Sequence, residues 1–317
     1  MAASLVSWRD GSAKRAIRDF IGTVTNPESA GFVPVRQRVA VFDNDGTLWC
    51  EQPGAVQGFF IMQRLRSLAL RDPELGQDPT VQALVDGDLT GALEVSGVGR
   101  VLAKIAIAHA GITTDDFAVE AAAWLESAQH PRFGRPFRDL TYQPMLELLD
   151  LLRSHKFRVF VVTGGGVEFV RAVSDDLYGI PSDDVVGTSV EVEFQRIEGR
   201  IALVRQPRFH GSPNEGVPKT VNIQSHIGRR PILAAGNTAG DREMLEYAHT
   251  GTHPSLCLVI EHDDPDREYA YPGASVTDPT AEPVQVTAAR LGWTSVSIKN
   301  DWLNVFPPPA GRRDAAV

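Results

Sequence analysis

The feature that most constrains the fold is a short apolar run that ends in acidic residues. Residues 38–42 read RVAVF and are followed at once by DNDGT. A β-branched run this short is typical of a strand that is buried on both faces, as in parallel sheets covered by helices. Asp43 and Asp45 therefore fall at the C-terminal end of a strand, which is the edge where such sheets bind ligands.

The rest of the chain alternates between helices and strands. A helix at 12–24 precedes the first strand, and a second strand, FRVFVVTGGG, runs through a glycine-rich turn into the helical segment VEFVRAVSDDLYG. The segment SVEVEFQRIEGRIALVRQ alternates on both sides of Glu198-Gly199, as in a hairpin. Further strands are predicted at RPILAAGN, SLCLVIEH and TSVSIKN. This order predicts an α/β fold with a doubly wound, Rossmann-like parallel sheet.

A long helical segment interrupts this pattern. Residues 54–138 contain predicted helices without strand-like alternation, and Thr113 or Thr114, followed by acidic residues, is a candidate N-cap. We therefore expect a core formed by 1–53 and 139–306, with a mainly α-helical insertion between its two parts. Residues 307–317, which begin with three prolines, are expected to form a disordered tail.

Composition limits the function classes. The chain has 317 residues, 43% of them apolar, and a formal net charge of −9 at pH 7, which argues against a nucleic-acid or anionic-membrane surface. No apolar run approaches the ~18 residues of a membrane span, and the first residues lack the pattern of a secretory signal. The two cysteines are too few for a disulfide framework. We expect a soluble, cytoplasmic protein.

The acidic segment has several possible interpretations. A calcium loop is excluded, because placing Gly46 at its sixth position puts Val41 at the first and Gln52 at the twelfth. An ordinary acidic turn stays possible, since Asp, Asn and Gly favour turns. However, two neighbouring carboxylates at a strand end repel each other, and this cost favours a functional pair.

Three later segments are also candidates for a site. Thr163 and the following glycines combine a hydroxyl with backbone N–H groups at a helix entry, a combination that suits an anion. A dinucleotide fingerprint starting at Gly164 would need glycine at 169, where Phe169 stands. Lys219 begins a helix, where dipole effects disfavour a cation, and Asn237 and Asp241 follow a third strand. Taken alone, Thr163 and its glycines also fit a helix-entry loop, Lys219 fits a solvated lysine, and Asn237 with Asp241 fits a turn.

Together, DNDGT, VTGG, a lysine and GNTAGD resemble, in this order, the haloacid dehalogenase-like hydrolase superfamily. The resemblance is specifically to its magnesium-dependent phosphatases of the phosphoserine-phosphatase type, and it covers about 38–53 and 140–260. It implies that the helical insertion at 54–138 is a C1 cap, a lid that closes over the active site and contacts the leaving group.

The resemblance also implies roles for individual residues. Asp43 would be the nucleophile that forms an aspartyl-phosphate, and Asp45 would be the general acid and base. Thr163 and the Gly164 N–H would hold the phosphoryl oxygens, while Lys219 would neutralise the charge on nucleophile and phosphate. The metal ligands for Mg²⁺ would come from Asp43, Asp45, Asn237 and Asp241.

One position departs from the family pattern. Many members have Gly-Asp where this chain has Gly236-Asn237, so the metal site would lose a carboxylate. The leading prediction is a Mg²⁺-dependent phosphatase of a small phosphorylated metabolite. The alternatives are a phosphomutase on the same fold and a phosphate-binding protein with weakened catalysis. Asp45 favours phosphate esters over carbon–halogen bonds, because the dehalogenases of the superfamily do not carry this second aspartate.

The substrate and the oligomeric state are not predicted by these motifs. Met62, Leu65 and Leu68 are expected in the core of the cap rather than in contact with substrate. Polar candidates for substrate recognition are Glu51, Arg132 and Arg135 near the ends of the insertion, although a solvated charge is as good an interpretation of each. His262, Asp263 and Arg267 follow a late strand and could approach the same sheet edge, or could belong to a polar loop.

Overall fold

The structure is a computed structural model that describes residues 5–275, 278 and 280–308. Its strands, in chain order, are β1 (Val39–Phe42), β2 (Arg158–Gly166), β3 (Val185–Thr188), β4 (Val190–Ile197), β5 (Arg200–Phe209), β6 (Leu233–Gly236), β7 (Leu256–Glu261) and β8 (Thr294–Ser297). Six of these form a parallel sheet with the order β3-β2-β1-β6-β7-β8, and β4 and β5 pair as a separate antiparallel hairpin. The predicted doubly wound parallel sheet is confirmed, with β1 near its centre.

Helices cover the sheet and form the insertion. They are α1 (Ser12–Thr25), α2 (Val56–Ala69), α3 (Pro73–Gln77), α4 (Pro79–Val85), α5 (Leu89–Ala108), α6 (Thr114–Ser127), α7 (Gln143–Ser154), α8 (Val167–Arg171), α9 (Ser174–Tyr178), α10 (Val217–Asn222), α11 (Arg242–His249), α12 (Val284–Leu291) and α13 (Ile298–Asp301). A π-helical turn, Ile223–Ile227, follows α10 directly. Over the part of the chain that the structure describes, no helix has the length and apolarity needed to cross a membrane.

Strand β1 separates two apolar cores. Ala40 and Phe42 lie in the core that contains residues of α1 and α7, whereas Val39 and Val41 lie in the core that contains residues of α11 and α12. All four strand residues are buried, because successive side chains of a strand point to opposite faces. The β-branched sequence of this strand is therefore explained by burial on both sides of the sheet.

The register of the sheet brings the motif-bearing strand ends together. Phe42 of β1 pairs with Val161 of β2 and with Ala235 of β6. The next residue, Asp43, donates its backbone N–H to the carbonyl of Ala235 at 2.9 Å. Because the three strands are parallel, the segments that follow them start at one edge of the sheet.

The segment after β2 forms two short helices instead of one. Val173, between α8 and α9, leaves the helical region with φ −136° and ψ −4°. Phe169 and Val173 pack in an apolar cluster with residues of the insertion, while Val170 and Tyr178 pack in the sheet core. The break follows because one short segment contributes side chains to two separate cores.

Helices α2–α6 lie within the predicted insertion and form the cap. Thr113 caps α6 by accepting the N–H of Asp116 at 3.0 Å. Leu65 is fully buried in a cap cluster, as expected. Met62 is half-buried and lines the cavity between core and cap, so its place in the cap core rather than in contact with substrate stays a prediction.

The β4–β5 hairpin packs against the cap rather than joining the main sheet. Its turn residues Glu198 and Gly199 both have positive φ, 49° and 79°, as a two-residue hairpin turn of type I′ requires. Arg205 of β5 exchanges backbone hydrogen bonds with the loop between α5 and α6, accepting from Gly111 at 3.0 Å and donating to Ile112 at 2.9 Å. The cap is thereby extended by two strands that come from the core half of the chain.

The prediction of a disordered tail at 307–317 concerns a segment of which only Pro307 and Pro308 lie within the described residues.

Candidate active site

A buried lysine joins two aspartates at the C-terminal edge of the sheet. The Nζ of Lys219 donates to Oδ1 of Asp43 and to Oδ1 of Asp241, each at 2.6 Å. The three side chains are 1%, 7% and 1% exposed as whole residues for Lys219, Asp43 and Asp241. Three motifs that are far apart in the sequence therefore meet in one ion-paired cluster.

The electrostatics of this cluster favour a charged lysine. Burial disfavours the ammonium, but Asp241 and Asp43 overcome this effect, and the pKa of Lys219 lies above its ordinary value. Burial and the charge of Asp241 raise the pKa of Asp43 well above its ordinary range, while Lys219 opposes this rise. Asp43 thus depends on Lys219 to be ionised, and an ionised carboxylate is what a nucleophile needs.

Asp45 occupies a different environment on the same turn. Its Oδ1 accepts the indole N–H of Trp49 at 2.9 Å. Burial raises the pKa of Asp45, and the hydrogen bond from Trp49 and the charge of Lys219 only partly oppose this. A raised pKa favours the protonated form, which can act as a general acid near neutral pH.

The glycine-rich segment, which was predicted as a turn, forms the C-terminal end of β2 and is held by its carbonyl groups. The Thr163 carbonyl accepts from Nδ2 of Asn214 at 2.9 Å, and the Gly164 carbonyl accepts from Oγ1 of Thr188 at 2.7 Å. The buried Thr163 hydroxyl accepts the Gly165 N–H at 2.9 Å. The segment is therefore fixed beside Asp45, since a Cβ added at Gly165 would lie 3.6 Å from Oδ2 of Asp45.

Asn237 lies beside the first turn and is fully buried. Its Nδ2 donates to Oε1 of Glu51 at 2.6 Å, and its Oδ1 accepts from Oγ1 of Thr47 at 3.2 Å. A Cβ on Gly46 would lie 2.0 Å from this Nδ2, and Gly46 also has φ +70°, so only glycine fits there. Burial raises the pKa of Glu51 to about 7, with the nearby charge of His262 opposing the rise.

The donor set at these strand ends fits a hard divalent cation. The Asp43 carboxylate, the Asp45 carbonyl and the Asn237 amide oxygen are oxygen donors on adjoining segments, and Mg²⁺ prefers one or two carboxylates together with water. Asp241 is used differently, because its Oδ1 accepts from Lys219 and its Oδ2 accepts the N–H groups of Asn237 and Thr238 at 2.9 and 3.1 Å. Its role as a metal ligand stays a prediction. In the described residues, no three His, Cys, Asp or Glu side chains form a metal-binding group.

A buried hydrogen-bond network contacts the turn that carries Asp43 and Asp45. His262 contacts the Gly46 carbonyl through Nε2 at 2.8 Å and the Glu268 carboxylate through Nδ1 at 3.1 Å. The same carboxylate accepts from Cys50 and Tyr142, each at 3.1 Å. The His262 ring therefore connects the active-site turn to the segment after β7.

The other polar candidates lie in structural contacts. Arg132 stacks on Tyr269 and donates to the carbonyls of Pro265 and Glu268, and Arg135 donates to the carbonyls of Asp139 and Pro307. Asp263 and Arg267 bind residues in and around α13. None of these four lines the cavity between core and cap.

Two residues near the site were not identified from the sequence. The Glu215 carboxylate packs against Gly164 and Gly240. A Cβ built on Gly164 would lie 2.5 Å from one of its oxygens, and a Cβ built on Gly240 would lie 1.7 Å from the other. Burial raises the pKa of Glu215, and Lys219 opposes this. Gln57 of the cap accepts the Gly166 N–H at 2.6 Å. Glu215 lies four residues before Lys219, and this proximity to a predicted site residue could have identified it as a candidate. Nothing in the sequence distinguishes Gln57 in this way.

Comparisons with known proteins give one family match and several similar structures. Residues 40–246 match the family described as haloacid dehalogenase-like hydrolase. A solved protein of unknown function from Bordetella pertussis Tohama I is 16% identical, with a TM-score of 0.50 over 82% of this chain and 98% of that one. A functionally unknown protein from Anaerococcus prevotii DSM 20548 is 15% identical, with a TM-score of 0.52 over 89% and 99%.

A third solved structure is a phosphoserine phosphohydrolase-like protein from Francisella tularensis subsp. tularensis SCHU S4. It is 16% identical, with a TM-score of 0.39 over 71% of this chain and 88% of that one. No curated protein matches the sequence significantly.

Proposed function

Because the chain belongs to the haloacid dehalogenase-like hydrolase family, we propose that it is a Mg²⁺-dependent phosphatase of a small phosphorylated metabolite. In this proposal the reaction passes through an aspartyl-phosphate on Asp43. It is also expected to act in the cytoplasm.

The observation that carries the proposal is that Asp43 and Asp45 lie on one turn but in different electrostatic environments. Burial raises the pKa of both carboxyl groups, but Asp43 contacts the ammonium of Lys219, which favours its ionised form. Asp45 has no ion pair among the described residues and accepts the neutral indole N–H of Trp49 instead. A nucleophile and a general acid need opposite protonation states at the same pH. The neighbouring segment at Thr163 supplies hydroxyl and N–H groups for phosphoryl oxygens.

The two half-reactions follow from this arrangement. A carboxylate oxygen of Asp43 attacks phosphorus, the bond from phosphorus to the ester oxygen breaks, and Asp45 gives its proton to the departing alkoxide. Asp45, now ionised, then takes a proton from water, the water oxygen attacks the phosphorus of the aspartyl-phosphate, and the bond from phosphorus to the Asp43 oxygen breaks. Inorganic phosphate leaves, and Asp43 and protonated Asp45 are restored. Lys219 neutralises charge on Asp43 and on the phosphoryl oxygens throughout.

Mg²⁺ would be held by the Asp43 carboxylate, the Asp45 carbonyl and the Asn237 amide oxygen. It would supply positive charge next to the phosphoryl group. Asp241 stays the fourth predicted ligand, and it would also hold Lys219 in place.

The test is phosphate release from para-nitrophenyl phosphate by wild type, Asp43→Asn, Asp45→Asn and the control Asp183→Asn, an exposed aspartate. Asp43→Asn should abolish turnover, and Asp45→Asn should lower kcat by about 10²–10⁴-fold. Mass spectrometry of acid-quenched wild type should locate the phosphoryl group on Asp43. Equal turnover by Asp43→Asn and wild type would overturn the mechanism.

The alternatives give different results in the same assays. A phosphomutase would require a bisphosphate activator for turnover. A binding protein with weakened catalysis, the alternative that Asn237 motivates, would bind phosphate esters without Mg²⁺-dependent phosphate release from any member of a broad panel.

A further inference from the structure

A large cavity separates the cap from the core next to the proposed phosphate site. Its volume is about 980 Å³, at the upper end of the ~300–1,000 Å³ that is typical of ligand pockets. Its inner end includes Gly164, Gly165 and Glu215. A phosphate ester bound at the glycine-rich segment would therefore extend its alcohol portion into this cavity.

The cap side of the cavity is apolar. Its wall is formed by side chains from three cap helices: Ile61 and Met62 of α2, Leu84 of α4, and Leu102 and Ile105 of α5. Leu89 and Val98 also line it and are 37% and 53% exposed. An apolar surface of this kind beside an active site would gain free energy by contact with an apolar group.

The polar groups of the same wall already have partners. Gln57 binds the Gly166 N–H and contacts His109, which in turn contacts Arg205. Burial and the charge of Arg205 lower the pKa of His109 to about 3, so its ring is neutral. The Arg205 guanidinium pairs with Glu168 at 2.9 Å and lies 3.9 Å from the ring centroid of Phe117.

We propose that the substrate is an amphiphilic phosphomonoester whose alcohol carries an apolar alkyl body. This inference rests on the proposed phosphatase function. The phosphoryl group would bind at Thr163 and Lys219, and the alkyl body would lie along the wall formed by α2, α4 and α5. Hydroxyl groups of sugar and nucleoside alcohols could bind on the core side, where Arg242 and Glu243 line the cavity. Against the cap wall they would be buried without hydrogen-bond partners, which costs free energy, so such alcohols fit this wall poorly.

The test compares ethyl, butyl and octyl phosphate with glycerol phosphate below the micelle-forming concentration. Each added methylene should raise kcat/KM about two- to four-fold, which corresponds to at most ~0.8 kcal/mol per buried CH₂. Octyl phosphate should exceed glycerol phosphate by at least about 100-fold. Equal values along the alkyl series, or a preference for glycerol phosphate, would overturn the inference.

A pair of variants locates the effect on the cap wall. Leu102→Gln should weaken the dependence of kcat/KM on chain length, so that octyl phosphate loses more of its kcat/KM than ethyl phosphate. Val95→Gln is the matched control, because Val95 lies on the same helix, is 65% exposed and does not line the cavity. Thermal unfolding of both variants identifies any loss of fold, and an unchanged chain-length dependence in folded Leu102→Gln would contradict the assignment.

A binding measurement separates this inference from the proposed function. Octylphosphonate and methylphosphonate retain the charged group but lack the ester oxygen, so their binding by calorimetry needs no turnover. Tighter binding of octylphosphonate without hydrolysis of any ester would refute the phosphatase and retain the apolar selectivity. Hydrolysis of all esters with equal binding of the two phosphonates would refute the selectivity alone.

Discussion

Replacement of Lys219 by methionine tests the central electrostatic argument. The substitution keeps a long apolar side chain but removes the ammonium that contacts Asp43 and Asp241 at 2.6 Å. Two nearly buried carboxylates would then face each other without a cation. Breaking a buried ion pair in this way typically costs about 3–5 kcal/mol, and the folded variant can avoid the repulsion only by binding a proton.

The free energy needed to keep one of these carboxyl groups protonated determines how much stability is lost and how the loss depends on pH. A carboxyl group with an unfolded pKa of about 3.9 costs about 1.4 kcal/mol for each pH unit above that value to keep protonated. The loss in free energy of unfolding should therefore be about 4 kcal/mol at pH 7 and about 1.5 kcal/mol at pH 5. The folded variant binds more protons than its unfolded chain, so its stability falls as the pH rises through this range.

Denaturant unfolding of wild type and Lys219→Met between pH 5 and 7, with EDTA present, measures both quantities. Lys104→Met is the control, because Asp78 keeps Arg100 and two backbone N–H groups when Lys104 is lost, and the cost should be at most about 1 kcal/mol. Adding Asp241→Asn to Lys219→Met should recover about half of the loss. A loss under about 1 kcal/mol, with the same pH dependence as wild type, would refute the reasoning.

Three further results are expected. Asn237→Asp adds a carboxylate to the cation donors and should lower the half-saturating Mg²⁺ concentration about ten-fold in an activity titration, whereas an unchanged value would show no deficit in the natural site. Glu215→Gln removes a negative charge beside Gly164 and should lower the Ki of inorganic phosphate about five-fold, with cavity-lining Glu243→Gln as control; equal Ki values would place Glu215 away from the phosphate. Cys50 and Cys257 are buried, and burial raises the pKa of Cys257 to about 12, so both should react with a thiol reagent only after unfolding; one fast native thiol would contradict this.

The parts of the site that could be predicted are those that follow strand ends. In a parallel sheet the C-terminal ends of the strands share one edge, so the topology alone brings Asp43, Thr163 and Asn237 to the same region. Lys219 was recognisable because a cation at a helix start needs a counter-charge, and the structure supplies Asp43 and Asp241 as that charge. The chemical roles of these residues stay predictions.

The remaining contacts depend on packing between segments that no local pattern connects. Glu51 contacts Asn237, and His262 contacts Gly46, because loops from opposite parts of the chain meet over the sheet edge. The hairpin was predicted from its turn and alternation, but its position on the cap depends on backbone pairing between Arg205 and the loop before α6. The single helix predicted after β2 is divided because its side chains serve two cores.

The hairpin also determines how the cap can move. The cap meets the core at the segments around Cys50 and Leu140, which are hydrogen-bonded at 3.0 Å, and again through the hairpin, which continues from β3. With two separate connections, rigid-body movement of the cap would be restricted to rocking about the line that joins them, and free rotation of the cap would be disfavoured. Because Gln57 binds Gly166 on one side of the cleft, each outward rocking step would also release the N–H of the phosphate-binding segment. Outward movement of the cap would thereby free a backbone donor for an anion, which couples the position of the cap to phosphate binding.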